Sequence, residues 1–151
     1  MVLWRSTTTR LRKASRLSAA EWWLLLRCWL LLLRVDTSLR FLGLGRTGNR
    51  LAQRRVTAAD LDSETVNRLV GWAARLHFWK IRCLTRSLVL ETLLPETDLT
   101  IGIRRSGSTL EAHAWVEKEG EPLGEDVHSL GGFTVLTSGK LWRQPENGSR
   151  T

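Results

Sequence analysis

An α+β domain, helices first and a small antiparallel sheet after, is predicted by three features of this 151-residue chain. Apolar residues up to Leu94 recur at helical spacing behind N-terminal capping signals. Beyond Pro95 the period changes to strict alternation, which is the pattern of strands. The turns between those strands, Ser106-Gly107-Ser108 and Glu119-Gly120, are too short for anything but antiparallel neighbours. The length suits one domain.

Ser18-Ala19-Ala20-Glu21 is a capping box, with a hydroxyl to close the first turn and a carboxylate three residues on. It predicts a helix through about Leu33, extending to Phe41. This helix is apolar nearly all round, so it is core or an interface. Gly43, Gly45 and Gly48 predict a loop, and no strand precedes them to make a phosphate-binding turn. Thr57-Ala58-Ala59-Asp60 reads as a second cap, starting a helix to about Leu76 with Leu61, Leu69, Val70, Ala73 and Leu76 near one face. His77 at its end is expected to cap carbonyls rather than to act as a ligand or base. Cys83 opens the next helix, whose buried side is Leu84, Leu88 and residues 90–94, and Pro95 ends it. Strands follow at Asp98–Arg105 and Leu110–Lys118, then a short edge piece at 121–126 and a last strand at Phe133–Thr137. The organisation expected is a basic, flexible arm at 1–17, a folded domain at 18–143 with its helical part at 18–80, and a frayed tail at 144–151. The sequence holds no internal repeats.

Charge is unevenly spread. Residues 1–55 carry 12 Lys/Arg against Glu21 and Asp36, a net of +10, while residues 56–151 carry 11 Lys/Arg against 13 acids, a net of −2. A basic arm points to acidic partners or anionic lipid. Nucleic acid is the weak option, because the Trp residues cluster with Leu rather than interleaving with cations on a sheet. The run Trp22–Leu33 is 12 residues long and broken by Arg27, too short to span a bilayer. It has the basic lead of a signal peptide, but Arg34-Val35-Asp36 offers no cleavage site. Cys28 and Cys83 form no CxxC, so neither a disulfide framework nor a zinc site is expected, and no cofactor is called for. The default setting is a reduced cytoplasm, with membrane association through the apolar helix. Cys28 in the Leu/Trp run reads as a packed thiol.

Cys83, His113 and the acidic pair Glu125-Asp126 carry the chemistry. A thiol attacks as thiolate, and a helix N-terminus and a nearby imidazolium both favour that anion. Cys83 stands at a helix start, with Lys80 and Arg82 close in sequence. His113 lies mid-strand on the face opposite Ala112, Ala114 and Val116, where a helix start can meet it. Trp115 is placed to wall the cleft. The imidazole needs a carboxylate to hold its tautomer, and Glu125 and Asp126 lie one hairpin further on.

The stretches Ile81-Arg82-Cys83-Leu84-Thr85-Arg86-Ser87-Leu88, Leu99-Thr100-Ile101-Gly102-Ile103 and Ala112-His113-Ala114-Trp115-Val116-Glu117 closely resemble the lasso peptide biosynthesis B proteins of the transglutaminase-like superfamily. The likeness covers about residues 18–137. The match is to the split form, because the stretch ahead of residue 18 is too short for a leader-binding domain. The resemblance implies a transglutaminase-like (papain-like) fold and a cysteine peptidase that removes the leader from a ribosomally made precursor. Its implied partners are that precursor, a separate small leader-binding protein and an ATP-dependent lasso cyclase, which closes the ring. It further implies Cys83 as nucleophile and His113 as general base. The acid falls at Glu125 by spacing and at Asp126 by residue type. One departure stands out: the link Leu94-Pro95-Glu96-Thr97-Asp98 is about one helical turn shorter than expected of relatives, which bears on where the His113 strand sits. The competing reading is a non-catalytic adaptor that docks on a partner protein or a membrane surface through the apolar, basic segment 18–41, with Trp22, Trp23 and Trp29 as anchors.

Overall fold

Helix α1, Ala19–Ala52, starts at the expected capping box. In this computed structural model, which describes residues 17–52 and 61–139, Ser18 N–H donates to Glu21 Oε2 (2.9 Å) and Glu21 N–H donates to Ser18 Oγ (3.2 Å). The Ser18 backbone N–H, and then its hydroxyl, hold the Glu21 carboxyl below its ordinary range. The expected loop at Gly43–Gly48 is instead helical. Only Gly43 departs, with φ 74° and ψ 176°, which kinks the helix. Helix resumes because Thr47 is buried and its hydroxyl donates back to the Gly43 carbonyl (2.8 Å). Two glycines cost helix propensity there, and tertiary burial overrides that cost.

Helix α2, Ser63–Arg75, begins later than the sequence suggested. Its N-cap is Asp62, whose carboxylate accepts from Thr65 N–H (2.9 Å). That backbone bond, first among the causes, holds the Asp62 carboxyl below its ordinary range. The expected cap at Thr57–Asp60 lies outside the described residues, as do residues 1–16 of the arm expected at 1–17 and the tail at 144–151; Leu17, the last residue of that arm, packs against the core. Val66, Leu69, Val70 and Ala73 form the buried stripe, whereas Leu76 follows the helix and is exposed.

Helix α3, Cys83–Leu93, is the centre of the molecule. Thr85 and every residue of 87–91 are buried, because α1 and α2 pack on one side and the sheet on the other. Leu88 and Leu93 are fully buried with Leu32 and Leu69; each such side chain contributes roughly 2 kcal/mol of transfer free energy.

The sheet has the order β3-β2-β1-β4 and is antiparallel throughout. Strands β1, Thr97–Ser106, and β2, Thr109–Lys118, pair over their whole length. Strand β3 is only Glu121–Pro122. A short helix α4, Val127–Leu130, too short to leave a readable period in the sequence, leads into β4, Thr134–Gly139. Leu99, Ala114 and Val116 face the helices, while Leu110 at the hairpin end is exposed. The short link after α3 is a tight turn in which Thr97 N–H and Oγ1–H both donate to the Leu94 carbonyl (3.0 and 2.8 Å). The strand therefore begins one residue earlier than expected, and no further linker is needed.

Candidate active site

Ser87 sets the register between α3 and β2. Its buried hydroxyl donates to the Ala114 carbonyl at 2.9 Å. Ser87 is one turn beyond Cys83, and Ala114 follows His113, so one hydrogen bond aligns the helix start with the middle of the strand. Cys83 and His113 accordingly line one small cavity of about 40 Å³, together with Arg86, Trp115, Leu123 and Glu125.

The cavity lies at the outer edge of β2. Strand β3 pairs only with Glu117 and Lys118. Leu123 N–H then donates to the Val116 carbonyl (2.9 Å), which runs the next residues alongside His113. Glu125 Oε2 stands 3.7 Å from His113 Nε2, an ion-pair distance rather than a hydrogen bond. Glu125 Oε1 stands 3.4 Å from Arg86 Nη1, and Arg86 Nη2–H donates to Asn67 Oδ1 at 2.8 Å. Asp126 is elsewhere: its carboxylate caps α4, accepting from His128 N–H at 3.0 Å. Of the adjacent acids, the structure brings Glu125 to His113.

Gly124 is a position that only glycine suits. Its φ is +72°, and a Cβ there would overlap the Asn67 amide and lie 2.9 Å from Asn67 Cγ. Gly124→Ala is therefore expected to displace Asn67, release Arg86 and move Glu125. The positive φ alone costs an L-residue roughly 1–2 kcal/mol. We expect a drop in melting temperature of at least about 2 °C and an altered rate of Cys83 alkylation by iodoacetamide, read by thermal melting and by mass spectrometry.

Aromatic side chains close the other side. His113 stacks on Trp115 (ring centroids 6.0 Å, 19° between planes) and contacts Phe133 (5.7 Å). Trp115 is held by donating Nε1–H to Glu117 Oε1 (2.7 Å). It lies over Gly102, where a Cβ would come within 2.9 Å of its ring.

The segments on either side of Cys83 are tied to α1 by Asp36, a residue outside every motif of the sequence. Asp36 on α1 is 2 % exposed. Its carboxylate accepts from Trp79 Nε1–H (3.0 Å), Thr85 Oγ1–H (3.1 Å) and Arg40 Nε–H (2.7 Å). It thus ties α1 both to the segment ahead of Cys83 and to the first turn of α3. His77 caps no carbonyl of its own helix. Its Nε2 lies 3.0 Å from the Trp29 carbonyl oxygen of α1, and its ring stacks on the Trp29 indole (4.9 Å).

The two thiols differ. Cys28 is fully buried, and burial pushes its thiol up to about 12, whereas Cys83 is partly exposed. A disulfide reagent at neutral pH is expected to titrate one thiol in the native protein and two in denaturant. Because Cys28 ionises near 9 when unfolded, its raised folded value makes the native state lose stability as pH climbs from about 9 towards 12. Among the described residues no group of His, Cys, Asp or Glu gathers as a metal site, and no helix is long and apolar enough to cross a membrane.

A thiol at the start of a central helix, set against an antiparallel sheet that bears an imidazole, is the architecture of thiol-dependent acyl-transfer proteins. The family model of the transglutaminase-like superfamily matches residues 23–138, and the chain belongs to that superfamily. Its members usually carry a Cys-His-Asp triad and act as peptidases or transferases. No curated protein and no solved structure matches the chain significantly.

Proposed function

We propose that Cys83, His113 and Glu125 form the triad of a cysteine peptidase that cuts the leader from a ribosomally made lasso peptide precursor. The observation that carries this reading is the shared cavity of the three side chains, two of them, Cys83 and His113, on stretches that resemble lasso peptide B proteins. With His113 Nε2 turned to Glu125, Nδ1 is the nitrogen left to take the Cys83 proton. Thiolate attack on the scissile carbonyl gives a tetrahedral oxyanion. The unpaired N–H groups of the first turn of α3, that of Cys83 among them, are the natural donors to it. Protonated His113 then donates its proton to the leaving amine, which is the new amino terminus of the core. Water, activated by the same imidazole, hydrolyses the thioester and frees the leader acid. Glu125 stabilises the imidazolium, and Arg86 and Asn67 hold Glu125. A glutamate stands where the superfamily usually has aspartate.

On this reading a separate small leader-binding protein presents the precursor, and an ATP-dependent cyclase takes the freed core. Incubation of the protein with its precursor and leader-binding protein is expected to give leader and core by mass spectrometry. Cys83→Ala and His113→Ala are expected to give neither while keeping the native melting curve. Cleavage retained in Cys83→Ala would overturn the proposal.

A further inference from the structure

We propose that the outward face of α1 is a docking face for an anionic lipid bilayer. At about 100° per residue, Trp22, Leu26, Leu30 and Trp23 fall within roughly 100° of helical arc. Leu24, Leu25, Cys28, Leu32 and Val35 take the opposite side and fill the core. The outward residues are about half exposed or more: Trp22 50 %, Trp23 67 %, Leu26 49 % and Leu30 47 %. By the same geometry Phe41, 82 % exposed, continues the row of Trp23 further along the helix. Beside this face the surface stays apolar through Leu76, which shares a shallow hollow with Trp22, Trp23 and Trp29. A patch of this kind on a folded domain marks a docking surface.

Charge selects the occupant. Arg27 and Arg34 are exposed at the edge of the same face and have no ion-pair partner among the described residues. The acids of this helix are engaged elsewhere: Glu21 with Ser18 and Arg68, Asp36 with Trp79, Thr85 and Arg40. The sixteen residues ahead of the described chain add Arg5, Arg10, Arg12, Lys13 and Arg16 and no acid. Tryptophan and leucine on the inner side with arginine at the rim is the composition of a helix lying in a membrane interface. Its indoles sit at headgroup depth and its guanidinium groups reach lipid phosphates. A second copy of the chain is a poorer occupant, because a two-fold interface would bring Arg27 and Arg34 against cations of the same helix. Since α2 and α3 pack on the other side of α1, a bilayer on this face leaves the Cys83 cavity open.

Docking is independent of the triad, so its test does not rest on peptidase activity. The full-length protein is mixed with sucrose-loaded vesicles of phosphatidylcholine alone or with phosphatidylglycerol, and sedimented. Binding to the anionic vesicles is expected, weakened by salt, with at least about tenfold weaker binding to phosphatidylcholine alone. The pair Trp22→Ser/Trp23→Ser and, separately, the pair Arg27→Gln/Arg34→Gln are each expected to lose binding at least about tenfold. Both should keep the native circular dichroism melt, and Cys83→Ala should bind as the parent does. Failure to sediment with anionic vesicles overturns the proposal, and so does undiminished binding by the tryptophan pair. A concentration-dependent dimer abolished by that pair, without vesicle binding, would assign the face to a second copy. Capture of the purified leader-binding protein, lost in that pair and again without vesicle binding, would assign it to a protein partner. Either result overturns the lipid assignment.

Discussion

Glu125→Gln is expected to slow precursor cleavage by about a hundred- to ten-thousand-fold, while Asp126→Asn leaves the rate within about a factor of two. The two residues are neighbours in sequence, yet they do different work. Glu125 faces His113 Nε2 on one side and the Arg86 guanidinium on the other. A glutamine there loses the charge that stabilises the imidazolium and can present its amide to the imidazole, which selects the wrong tautomer. Loss of that third member in a serine triad costs up to about ten-thousand-fold. Asp126 accepts from His128 N–H as the cap of a four-residue helix; asparagine caps about equally well. The measurement is kcat with purified precursor, alongside the rate of Cys83 alkylation by iodoacetamide. Comparable loss in both variants, or loss in Asp126→Asn alone, would contradict the assignment of the acid.

Asp36→Ala is expected to be strongly destabilising. It removes a buried carboxylate and leaves the Trp79 indole N–H, the Thr85 hydroxyl and the Arg40 guanidinium without their acceptor. Deleting this buried acceptor costs roughly 2–3 kcal/mol, because Thr85 is left without a partner while the exposed Arg40 and Trp79 can turn to water, which in a domain of this size lowers the melting temperature by about 4–10 °C. Asp36→Asn keeps an oxygen acceptor and the shape, and is expected to cost less than half as much. Because Trp79 and Thr85 flank Cys83 in sequence, the alanine variant should also alkylate Cys83 at an altered rate at temperatures where it is still folded. An unchanged melt in Asp36→Ala would mean that the carboxylate contributes nothing to the folded state.

The elements whose evidence is local were readable from sequence. Alternation placed β1 and β2 within a residue at each end, and the capping box placed the start of α1. The helix opened by Cys83 followed from the apolar run that ends at Pro95. Local evidence misled at Gly45 and Gly48, where burial of Thr47 outweighs glycine's poor helix propensity. It misled again at α4, whose four residues carry no period long enough to read. At the site, Arg86 sat inside a recognised stretch without a role, because its partners Asn67 and Glu125 lie 19 and 39 positions away. Asp36 meets Trp79 and Thr85 across 43 and 49 positions. No spacing rule spans such distances; they exist only once α1 and α2 pack against α3. The acid could be narrowed to a pair by order alone. Choosing within the pair required seeing that a turn at Gly124 aims one carboxylate at the strand and the other at a helix end.

Strand β3 is a stub of two residues, and it leaves most of the outer edge of β2 without a strand neighbour. The next segment, Leu123 to Glu125, is held by one backbone bond to Val116 and by a bridge from Asn67 on α2. The proposed triad is therefore divided between the helical and the sheet half of the chain. The helical half has the thiol without base or acid, and the sheet half has the base and acid without the thiol or the side chain that steadies the acid. On the proposed reading, a nascent chain becomes competent only when β2 and the Leu123–Glu125 segment have closed on α2 and α3. On that reading, a nick that lets the halves separate would silence the protein without altering Cys83, His113 or Glu125.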